Sequence, residues 1–137
     1  MAGGHRTSLN PQTKELLTSL RNVMLEQHKL LLDRERVRYE LTNGPIGGPG
    51  PFLTLVIGDP YFAWLKQISS LVVEIDEALS RRSTAGQPEG DALVAQVSEL
   101  MRPREVGSDF QVRYYQAIQE SADIVIGQVR IERLLGR

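Results

Sequence analysis

Five residues carry the side chains best placed to do chemistry in this chain: His28, Arg34, Glu35, Arg38 and Asp76. Laid out at about 100° per residue, Arg34 and Arg38 fall inside the apolar arc defined by Leu16, Leu20, Val23 and Leu31, with His28 and Glu35 on its flank. His28, Glu35 and Tyr39 recur at spacings of seven and four, close enough in angle to share a pocket. Asp76 lies beside Val72 and Leu79 on the shoulder of a second amphipathic segment. It faces Arg38 or His28 if the two helices pack antiparallel. Charges on a buried stripe are costly unless paired and hydrogen-bonded, so two readings stand side by side. In one, Arg34 or Arg38 grips a small anionic ligand bidentately while Glu35, His28 or Asp76 handles a proton. In the other, the same residues form a satisfied ion network, or the arginines lay their stems over the core and keep their heads in water.

Other chemistries lack the residues they need. Cysteine is absent, which removes disulfides, thiolate metal sites and cysteine nucleophiles. Carboxylate-bridged metal bundles require Glu-x-x-His on two helices, and the chain has two histidines in all. His28, Glu35 and Asp76 would form a one-histidine, two-carboxylate set only by tertiary coincidence, so no metal and no cofactor is expected. The glycine-rich run Gly44 to Gly50 is followed by neither Lys-Ser/Thr nor an immediate helix start, so it is not read as a phosphate loop. No G-x-S-x-G turn supports a serine nucleophile. A net charge of -1 and a pI near 6.1 argue against nucleic acid as a partner. The absence of a long apolar run argues against a membrane span, and the reading is a cytoplasmic protein.

The elements that must position these residues follow from helix signals. Residues 1–9, small and polar and including His5, read as a disordered tail, and 10–137 as one helical-bundle domain. Asn10-Pro11 is a cap and first helical residue, and Asn43-Gly44-Pro45 is the stop. The first helix would be roughly 48 Å long, which suits a helix that projects or pairs with another subunit. Gly44 to Pro51 should be a shaped, irregular crossover, and Phe52 to Ile57, FLTLVI, has the composition of a short extended segment. Asp59-Pro60 starts a second helix ending near Arg81 and Arg82. A third, shorter one runs from Asp91 to before Pro103. Ser108 with Gln111 opens a long last helix through a capping box.

The expected fold is therefore all-α: a four-helix bundle with long first and last helices and a Gly/Pro-rich crossover between helices 1 and 2. Beyond Ile124 apolar residues surround the last helix, which calls for neighbours on every side. Phe52, Leu53, Leu55, Ile126, Ile131, Leu134 and Leu135 are accordingly expected at a homodimer interface. With no catalytic motif, the chain reads as a non-catalytic, homodimeric interaction or regulatory module. The alternative is a ligand-binding protein or enzyme using the polar cluster.

Overall fold

The computed structural model describes residues 8–137; His5 and most of the expected tail lie outside them. Among the described residues every regular element is helical: α1 (Pro11–Asn43), α2 (Pro49–Gly58), a 3-10 helix (Pro60–Leu65), α3 (Lys66–Leu79), α4 (Gln87–Leu100), α5 (Asp109–Glu120) and α6 (Ala122–Leu135). The all-α class holds. The count of four helices does not.

The first helix begins and ends where its caps dictate. The Asn10 side chain accepts from Thr13 N, Pro11 occupies the first turn, and Gly44 takes φ 82° to end the helix. Glycine reaches that backbone region without the Cβ clash other residues meet. At 33 residues α1 is about 50 Å long, and it is the axis of the molecule. Leu17, Leu20, Met24 and Leu31 are fully buried along it, and α3, α4 and α6 all pack against it. Arg21 reaches Asp76, and Tyr39 stacks edge-on against Tyr61, so α1 and α3 run antiparallel. Leu9, assigned by its sequence to the tail, is instead buried in the core.

Three boundaries differ from the sequence expectation. FLTLVI is not extended; it is the body of α2, which starts with Pro49 in its first turn. Proline at the start of a helix forfeits a donor that has no intrahelical partner, so the Gly/Pro run supplies a helix start as well as a crossover. The last helix is two helices. Ser121 adopts φ -138° and ψ 115° and its hydroxyl caps Ile124 N, so α6 starts afresh on a new heading. The third helix begins four residues early, at Gln87, where Gly86 N donates to the Glu89 carboxylate. Ser108 and Gln111 form the expected capping box.

The Ser121 break explains the apolar residues that surround the chain's end. Ile131 is fully buried in the chain's own core, and Leu134 and Leu135 pack against that core. These three need no second subunit, contrary to expectation. Ile126 remains exposed.

Candidate functional site

Arg34, Glu35 and Arg38 do converge, and the structure adds two partners the sequence did not single out. Glu35 sits on the buried stripe with 4% exposure. Its carboxylate accepts from Arg34 Nη1 at 2.8 Å and lies 3.5 Å from Arg38 Nε. Arg34 turns its other edge to Glu120 at the end of α5, with Nη2 at 2.7 Å and Nε at 3.2 Å from one oxygen. Arg38 also faces Glu120 at 3.7 Å. The Tyr61 hydroxyl completes the group, and its interaction with Arg38 is the chief reason that guanidinium is held even more firmly protonated than usual. Burial, reinforced by Glu35, pushes the Tyr61 phenol up. The hydrogen bond from Arg34, then its charge, holds Glu120 below the usual carboxylate range.

Two cations therefore meet two carboxylates, with a phenol alongside. Every charge has an internal partner, so the fork that a ligand carboxylate or phosphate would fill is already taken by Glu35 and Glu120. The cluster ties α1 to α5 and to the 3-10 helix.

Asp76 and His28 do not join it. Asp76 pairs with Arg21 at 2.6 Å on an exposed edge. Arg21 and Arg38 are 17 positions apart on one helix, about 25 Å along its axis. His28 stands two turns from Glu35, about 10 Å, and burial alone holds its imidazole below the ordinary value. Among the described residues no three of His, Cys, Asp and Glu are grouped to hold a metal ion.

The second feature is α2, ten residues with no charged side chain and none buried. It is moored at few points. The Phe52 ring meets Phe62 edge-on, with centroids 5.8 Å apart, and lies 4.7 Å beneath the Arg36 guanidinium. Arg36 Nη2 donates to Gly47 O, and Lys66 Nζ to Ile57 O at the helix end. Phe62, fully buried, also meets Tyr39 and Tyr61. Around these moorings, apolar side chains point outward at one end of the molecule: Leu41 is 82% exposed, Ile57 62%, Val37 59% and Leu53 58%. Phe52 and Leu55, expected at an interface, are half-buried on the same helix.

A buried polar chain crosses the other half of the bundle. Gln27 Nε2 donates to Tyr114 Oη and to Ile124 O, Tyr114 Oη donates to Gln128 Oε1, and Gln128 Nε2 donates to Met101 O and Glu132. Arg137 then bridges Glu132 to Ser98 O and Met101 O at the end of α4. Gln27 lies on the first helix's apolar arc and was readable as a buried polar residue; Gln128 was hidden by the false continuity of α5 and α6. Among the described residues no helix is long and apolar enough to cross a membrane. Compared with protein-family models, curated proteins and solved structures, the chain matches none.

Proposed function

We propose that the protein is a non-catalytic interaction module that pairs with a second copy of itself through α2 and the adjoining end of α1. The observation that carries this reading is α2: a wholly uncharged apolar helix with no buried residue, beside further exposed apolar side chains. Exposed apolar clusters of this kind mark contact surfaces. A second copy is favoured as the occupant because the stretch from Gly44 to Gly58 contains no charge, so nothing in it repels its own image or selects a charged partner. Isologous two-fold pairing is also the commonest closed arrangement. The helix is about 15 Å long, so with the end of α1 it would bury roughly 500 Å² per partner, near the lower bound of stable interfaces. A weak, concentration-dependent dimer follows. The polar cluster supports a structural role, because its arginines are occupied by the chain's own carboxylates.

Light scattering over a concentration series tests the proposal. The mass should rise from 15.3 kDa toward twice that value, and Leu53→Glu with Ile57→Glu should hold it at the monomer value, with the thermal midpoint of a dilute, monomeric sample unchanged. A native chain that stays monomeric to about 1 mM would overturn the reading.

A further inference from the structure

The α3–α4 groove lies apart from α2 and from the ion cluster, and nothing among the described residues covers it. The two helices are antiparallel, and along their outer seam run two cavities of ≈720 and ≈580 Å³ that share Glu74 and Gln96 as lining residues. They form one trough. Its floor is apolar at the end lined by Leu71 and Leu100, and becomes more polar past Leu93 toward Ser80 and Ser83. It extends from Lys66 to Ala78 along α3, twelve positions, about 18 Å or three helical turns. From within, α1 packs against both helices, so the outer seam is the face left for a further helix.

The walls carry a consistent charge. Glu74 and Glu77 line the α3 side, and Glu89 and Glu99 the α4 side. Glu99 is engaged by Gln111 and Arg104, and Glu89 caps the start of its own helix. Glu74 and Glu77 are exposed and make no ion pair among the described residues. The basic residues of the trough are at its ends: Arg82 by the α3–α4 turn, and Lys66, whose ammonium is committed to Ile57 O. A groove with an apolar stretch of floor and acidic walls is complementary to a helix whose apolar stripe is flanked by Lys or Arg.

We infer that the α3–α4 groove is a docking site for a basic amphipathic helix of a partner protein, with Glu74 and Glu77 as its selecting charges. The proposal does not depend on self-association through α2.

A fluorescein-labelled Leu/Lys amphipathic peptide of roughly 14 residues, three to four turns, is the probe, read by anisotropy on the full chain. At about 50 mM salt it should bind saturably, and at about 500 mM binding should weaken several-fold. Glu74→Lys with Glu77→Lys should weaken it about tenfold or more, since like charge replaces attraction at two points. The charge-matched control Glu15→Lys with Glu105→Lys, two exposed residues outside the groove, should change it less than about twofold. A Ser/Lys peptide of equal charge should bind at least tenfold more weakly, because it has no apolar stripe for the floor. Thermal midpoints verify that each variant is folded. The inference fails if the peptide does not bind, if both pairs of reversals act equally, or if the Ser/Lys peptide binds as well as the Leu/Lys one.

Discussion

Within the polar cluster, position on the helix decides what each charge is worth. Glu35 is buried and answers two guanidiniums, whereas Arg38 is half exposed and has water as an alternative partner. Replacing Glu35 with Leu strands Arg34 in a site where its side chain is 15% exposed, although Glu120 still answers it. The expected cost is about 2 kcal/mol, less than for a fully isolated buried charge. Arg38→Met should fall within about 0.5 kcal/mol of the native chain, since exposed pairs contribute little. Urea denaturation of both variants checks the contrast. If Arg38→Met were the more damaging, the cluster would be doing more than satisfying Glu35. His28 gives a second test. Burial lowers its folded value, so the unfolded chain binds the proton more readily and stability falls as pH drops below the unfolded value of 6.5. The midpoint difference between the native chain and His28→Gln should therefore shift against the native chain from pH 7.5 to 5.5. A difference flat across that window would mean the imidazole titrates alike in both states.

Between elements, α1 and α6 meet at Gly127 with no room for a side chain. A methyl group built on Gly127 would overlap the Gln27 side-chain amide, which hydrogen bonds to Tyr114 and Ile124 hold in place. Gly127→Ala should cost about 1–3 kcal/mol despite its gain in helix propensity. Combining it with Gln27→Ala should cost less than the sum of the two single changes, because the second removes the obstructing group. Additive costs in a denaturation cycle would argue that the helices are not in contact at that point. This crossing was only half legible in the sequence. Local signals carried through: Asn10-Pro11, Gly44 and Ser108 with Gln111 all cap as their chemistry requires. The break at Ser121 was missed because apolar periodicity runs through it, although Ser121 followed by Asp123 is itself a helix-start signal. Reading α5 and α6 as one helix then spread Ile131, Leu134 and Leu135 around a false circumference. The stretch FLTLVI failed differently. Its composition suits a strand, but Pro49 and the absence of any pairing partner decide for a helix. Of the candidate site, Arg34, Glu35 and Arg38 were legible from one helix's angular pattern. Glu120 and Tyr61 were not, because their proximity is set by packing between elements.

At the scale of the whole molecule, stability is unevenly distributed. The chain of Gln27, Tyr114, Gln128 and Glu132 links α1, α5 and α6 through buried or half-buried partners, and the exposed Arg137 extends it to the end of α4. Opening any of these helices exposes both apolar core and paired polar groups, which couples their unfolding. By contrast α2 has no buried residue and is held by one aromatic contact, one cation–π contact and hydrogen bonds at its two ends. A helix of ten residues is too short to persist alone in water, so α2 should open locally while the bundle stays intact. In native-state hydrogen exchange, the amides of Leu55, Val56 and Ile57 should exchange several kcal/mol below the level of Leu20 and Met24 in α1. Phe52→Ala should lower their protection further and leave that of Leu20 unchanged. If α2 is instead as protected as α1 in a dilute, monomeric sample, it belongs to the cooperative core. If its protection rises with protein concentration, the added free energy measures how strongly a second copy holds it in place.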